Sequence, residues 1–100
     1  MVIIASVAYP PESVNEIAAR FVEMPPLPDY ITLRGPYISS LKGEGVQTIS
    51  LYEFEDQSKL AEALAFVGSR MVTYYGVPGF TYSVFPWLEV QEALKLIGMG

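Results

Sequence analysis

Residues 2–9, Val-Ile-Ile-Ala-Ser-Val-Ala-Tyr, are apolar at both alternating positions. Ile3, Ala5 and Val7 make one set, and Val2, Ile4 and Ala8 make the other. Successive strand side chains point to opposite faces, so this run predicts a strand inside a sheet, covered on both faces. A chain of 100 residues has to assemble both covers from few elements.

The segments that follow supply candidates. Pro10-Pro11 stops the strand, and Pro11 suits a first helical turn, where its missing N–H is no loss. Val14, Ile17, Ala18, Phe21 and Val22 then recur at the spacing of an amphipathic helix, which Pro25 ends. A second strand is predicted over 30–33, interrupted at Gly35-Pro36 by a bulge or an edge position and resumed over 37–41. Residues 42–45, Lys-Gly-Glu-Gly, read as a hairpin turn into a return strand over 46–54. In that strand Ile49 and Leu51 face one way, and Thr48, Ser50 and Tyr52 the other. Asp56 or Ser58 caps a long helix whose stripe is Leu60, Ala63, Leu64, Val67, Met71 and Tyr74, with Gly76 as the stop and Pro78 after it. A fourth strand over 80–85 and a short C-terminal helix over 88–97, closed by Gly98, complete the chain.

The order β-α-β-β-α-β plus a helix predicts one α+β domain over residues 1–100, with a βαββαβ core over 1–87 and a C-terminal helix over 88–98. Right-handed crossovers arrange that core as a ferredoxin-like, four-stranded antiparallel sheet of order 4-1-3-2 with two helices on one face. The first strand then lands inside the sheet, in agreement with its two apolar faces. If Ile31, Leu33, Ile49 and Leu51 point to the helices, the other face carries Thr32, Arg34, Ser50, Tyr52, Ser6, Ser83 and Phe85. Over these first 87 residues the pattern resembles the dimeric α+β barrel proteins, whose ferredoxin-like subunits pair sheet against sheet. The resemblance implies a homodimer. The other cover open to this chain is its own C-terminal helix.

Composition agrees with a partner. Hydrophobic residues make up 51% of the chain and charged ones 17%, against roughly a quarter charged in average soluble domains. A lone small domain has little interior for such a surplus, so part of it is expected against another copy, in a homodimer or higher homo-oligomer. The net charge of −5, with six cations scattered singly, argues against nucleic acid and against an anionic membrane surface. No apolar stretch approaches the roughly 20 residues of a membrane span, and the N-terminus lacks the pattern of a signal peptide. A soluble, cytoplasmic protein is the expectation.

The chain contains neither cysteine nor histidine. That removes the thiol nucleophile, the thiolate ligand, the commonest metal ligand and the usual general base near neutral pH. Ser39-Ser40 has no histidine to activate it. Gly76-Val77-Pro78-Gly79 runs from helix into strand, opposite to a phosphate cradle. No metal site and no cofactor is predicted.

What remains is a short set of candidates. Arg34 would grip a ligand carboxylate or phosphate in a bidentate fork, or serve as an edge-strand charge or half of a subunit salt bridge. Tyr52, Phe85 and Ser50 would line a pocket beside it on the open sheet face, tyrosine suiting pockets and interfaces alike. Glu53, Glu55 and Asp56 read as solvated charges near a helix cap or as a carboxylate pair. Arg70, at the rim of the long helix's stripe, would snorkel or pair with an acidic neighbour. Trp87, the single tryptophan, together with Val90 and Leu94, would pin the C-terminal helix to the body or to a partner subunit. The function expected from this set is a binding or assembly module with a small-molecule pocket at the open sheet face. The alternative is a cofactor-free dimeric-barrel enzyme, isomerase or oxygenase-like, that acts on an apolar small molecule with Tyr, Arg, Glu or Asp.

Overall fold

The computed structural model describes residues 1–41 and 45–99. The hairpin turn expected at 42–45 therefore lies outside the described residues apart from Gly45. Four strands and three helices follow one another as β1 (Val2–Tyr9), α1 (Val14–Phe21), β2 (Thr32–Leu41), β3 (Gly45–Glu53), α2 (Leu60–Val72), β4 (Thr81–Trp87) and α3 (Val90–Leu96). A single 3₁₀ turn leads into each of α1 and α2. The strands form one antiparallel sheet of order β2-β3-β1-β4. β1 thus has a neighbour on each side, as its two apolar faces require.

Local chemistry sets the element ends. Pro11 sits at the first position of its 3₁₀ turn, and the Asp56 carboxylate accepts from the Ser58 N–H at 2.9 Å ahead of α2. β2 is continuous from Thr32 to Leu41 with a bulge between Arg34 and Tyr37, where Gly35 has φ +93°. The long helix ends at Val72, earlier than its apolar stripe suggests. Tyr74 lies in the turns that follow, where the Tyr74 N–H still bonds the Met71 carbonyl at 3.0 Å and keeps its ring on the stripe's side. β4 runs on through Pro86 to Trp87, and α3 starts at Val90, two residues later than expected.

α1 and α2 lie against one face of the sheet. The core between them gathers Ile3, Ala5, Val7 and Tyr9 of β1, Ile17 of α1, Ala63, Val67 and Met71 of α2, and Tyr52 of β3. The molecule is flat: its principal extents are 49 × 29 × 18 Å, and its 15.2 Å radius of gyration exceeds the roughly 13 Å of a compact domain of this length. A thickness of 18 Å holds one sheet and one helical layer. α3 does not roof the other face, because Phe85 and Trp87 on that face are 58% and 55% exposed. α3 is held instead at the end of the sheet, where its Glu92 carboxylate accepts from Gln57 Nε2 at 3.0 Å.

Candidate functional site

Cross-strand register fixes what each sheet face carries, since residues directly opposite share a face. Tyr52 lies opposite Ile3 and Leu33, and Ser50 lies opposite Ala5. Ile3 and Ala5 are core residues, so Ser50 and Tyr52 point to the helices. Leu51 lies opposite Ile4 and Arg34, and Ile49 lies opposite Ser6 and Tyr37, on the solvent side. The expectation for β3 is therefore corrected: its polar alternates face inward and its apolar alternates face outward. Alternation alone gives two sets of side chains, and the usual rule of apolar-inside assigns them wrongly here.

The inward polar set has a physical home. Between the sheet and the two helices lies a cavity of about 220 Å³, into which Thr48, Ser50 and Tyr52 of β3 project from the floor. β1 contributes Ala5, Val7 and Tyr9, and α1 contributes Ile17 and Ala18. Met71 and Tyr74 close the α2 side. Val14, Phe21 and Ile38 also line the space and are themselves exposed, which places them at its mouth.

One charged side chain lines this cavity among the described residues: Arg70, only 6% exposed. Its Nε donates to the Tyr52 hydroxyl at 3.1 Å and its Nη1 donates to the Pro25 carbonyl at 3.3 Å. The guanidinium also stands 5.8 Å from the Tyr52 ring centroid and 5.7 Å from that of Phe66. None of the ion pairs among the described residues involves Arg70. The predicted acidic partner is thus replaced by a phenol, a carbonyl and two aromatic faces. Along α2 and the turns that follow it, the inward positions are Ala63, Val67, Arg70, Met71 and Tyr74. At about 100° per residue these positions span roughly 100°, with Met71 at one margin and Arg70 at the other, so Arg70 lies at the rim of the stripe as its sequence position predicts, and its guanidinium turns inward from there.

Burial shapes the phenols around it. The Tyr74 hydroxyl is pushed up to about 12, chiefly by desolvation, with the neighbouring Tyr52 adding to the rise and the Arg70 charge opposing it. Desolvation raises Tyr9 as well. Both stay protonated near neutral pH, so they serve as apolar walls with a hydrogen-bond handle and not as general bases.

The other predicted residues lie elsewhere. Arg34 is exposed on β2 and is paired with Glu53, its close neighbour across the strand pair. Phe85 shares the open face with Arg34, in one register row that runs Arg34, Leu51, Ile4, Phe85 across the sheet. The next row runs Thr32, Glu53, Val2, Trp87. Arg34 and Phe85 therefore stand on one face, and Ser50 and Tyr52 on the opposite one; the four do not converge on a single pocket. Trp87 and Val90 are exposed and Leu94 is half-buried. With Tyr37 (60% exposed) and Ile49, the open face presents an apolar surface that none of the described residues covers. No helix of the described residues is long and apolar enough to cross a membrane. Comparison with protein families, with curated proteins and with solved structures finds no match.

Proposed function

We propose that this chain is a homo-oligomeric binding module of the cytoplasm, a ferredoxin-like subunit that pairs through its open sheet face and holds a small organic molecule between its sheet and helices. The polarity of β3 carries this reading. Thr48, Ser50 and Tyr52 face a cavity, while Ile49 and Leu51 face outward. A lone folded chain would gain by the reverse arrangement, since Ile49, 39% exposed, leaves part of the roughly 1.5–3 kcal/mol of full burial unrealised. Inward hydroxyls make sense where a ligand meets them, and outward apolar groups where a second copy does.

A second copy fits the dimensions of that face. Four strands about 4.8 Å apart and some 25 Å long offer on the order of 500 Å². A standard interface takes about 800 Å² from each partner, so the apolar side chains of the neighbouring α3 supply the remainder. A two-fold pairing brings the same apolar rows together from both copies and needs no second surface. The catalytic alternative, a cofactor-free dimeric-barrel enzyme, is less well supported, because no aspartate or glutamate stands among the described residues that line the cavity to act as a general base.

Native mass spectrometry of the wild type and of Trp87→Asp tests the assembly. The wild type is expected as a dimer or a multiple of dimers, and the variant, with a charge in a desolvated sheet interface, as a monomer that keeps its circular dichroism spectrum. A wild type that stays monomeric at tens of micromolar protein overturns the pairing.

A further inference from the structure

The cavity beneath the helices has a charge balance that names its ligand. Among the described residues it is lined by apolar and hydroxyl-bearing side chains with a single ionic group, the Arg70 guanidinium. A guanidinium keeps its charge in proteins, and burying it without a counter-ion carries a desolvation cost that a phenol and a carbonyl offset only in part. Its Nε and Nη1 are engaged by Tyr52 and Pro25, and Nη2 forms no hydrogen bond to a described residue. The Tyr52 hydroxyl, which accepts from Nε, still has its own proton to give. A positive fork, a phenol donor and the Ser50 hydroxyl thus stand in one apolar space.

Building on the binding reading above, we infer that this cavity is a site for a small aryl monocarboxylate, its carboxylate on Arg70 and Tyr52 and its ring among Val7, Ile17, Met71 and Tyr74. The size is right: an apolar cavity of about 150 Å³ takes a benzene, and 220 Å³ leaves room for a short acid side chain on such a ring. One negative charge is right as well, because one guanidinium neutralises one carboxylate and would leave the second charge of a phosphonate uncompensated in a desolvated site. The mouth at Val14, Phe21 and Ile38 is apolar, so the ring of a bound acid finds contacts along its whole length.

Trans-cinnamate and its neutral analogue cinnamyl alcohol are the probes, titrated into the full chain and followed by calorimetry and by ¹H–¹⁵N chemical shifts. Wild type is expected to bind cinnamate about 10- to 100-fold more tightly than the alcohol, the range of a charged hydrogen-bond pair. Arg70→Met, which keeps an apolar stem of similar length, is expected to lose that preference while still taking up the alcohol, and Arg70→Lys to keep part of it. Phenylphosphonate is expected to bind more weakly than cinnamate. If the alcohol binds wild type as well as cinnamate does, or Arg70→Met retains the preference, or the phosphonate binds more tightly, the monocarboxylate assignment falls while the cavity remains a binding site. If neither cinnamate nor the alcohol binds wild type, the binding reading falls and this assignment with it.

Discussion

The Arg70 Nε donates a 3.1 Å hydrogen bond to the Tyr52 hydroxyl, tying α2 to β3 across the floor of the cavity. Tyr52 is 3% exposed, so this bond is shielded from water and its loss is not repaired by solvent. Tyr52→Phe keeps the ring that packs against Leu33 and Ile3 and removes only the acceptor. Leaving a charged donor unpaired in the interior is expected to destabilise the fold by about 1–3 kcal/mol. Urea unfolding checks it: the midpoint should fall with an unchanged slope, and a loss under about 0.5 kcal/mol would mean Arg70 finds another acceptor at no cost.

Tyr74 links stability to alkaline pH. Its folded-state value near 12 stands above the ordinary 10, so the native state binds the phenolic proton more tightly than the unfolded chain does. The resulting stability is fully present below pH 10 and is lost as pH rises from about 10 toward about 12. Two pH units correspond to about 2.7 kcal/mol as an upper figure. Unfolding free energies measured between pH 8 and pH 11.5 should therefore decline for wild type and decline less for Tyr74→Phe. Parallel curves for the two proteins would assign the alkaline loss to other groups.

Where sequence reasoning succeeded and failed follows from what a pattern of residues encodes. β1 was legible as an inside strand because apolar residues at both parities admit few other placements, and the register confirms neighbours on both sides. Element order was legible from the prolines, the glycines and the helical stripes. The facing of β3 was not, because alternation defines two sets without saying which is inside. Ile49 and Leu51 obey the general preference for burial only if a second molecule is counted. Arg70 stands at the rim of its stripe as the spacing predicts, and what the spacing does not encode is its partner: the Tyr52 hydroxyl and the Pro25 carbonyl that hold it inside come from other elements. The facing of β3 and the partners of Arg70 both fall at the cavity.

The turn between α2 and β4 predicts a sharply local sensitivity. Gly79 has φ +74°, and a Cβ built there would lie 2.5 Å from Pro10 Cδ and 2.7 Å from Pro10 Cγ. Pro10 is a rigid ring at the end of β1, and the Ser13 hydroxyl donates to the Pro78 carbonyl at 2.7 Å beside it, so neither side yields readily. Gly76 has φ +89° as well, but a Cβ there meets nothing within 4 Å. Gly76→Ala should pay only the left-handed strain of about 1–2 kcal/mol, and Gly79→Ala that strain plus the clash. Thermal unfolding should separate the two by several degrees, since each kcal/mol moves the midpoint of a domain this size by roughly 4–8 °C. Equal shifts would show that Pro10 moves aside freely.

Glu92 sets the acid limit for α3. Its carboxyl is held down at about 2, first by the Glu89 backbone N–H at 2.9 Å, then by the chain's terminal ammonium and by Gln57. The Glu89–Glu92 pair is a reciprocal capping box, so the same carboxylate starts the helix and fastens it to the sheet's end. A folded-state value below the ordinary 4.5 means that this fastening is fully present above about pH 4.5 and is lost as pH falls toward about 2. Amide exchange of α3 should therefore accelerate between pH 4.5 and pH 2 relative to β1, once the intrinsic pH dependence is divided out. Glu92→Gln, which keeps the shape but has no charge to lose, should show faster α3 exchange already at pH 6 and no further change on acidification. If α3 exchange in the variant still tracks pH as it does in wild type, another carboxylate fastens the helix.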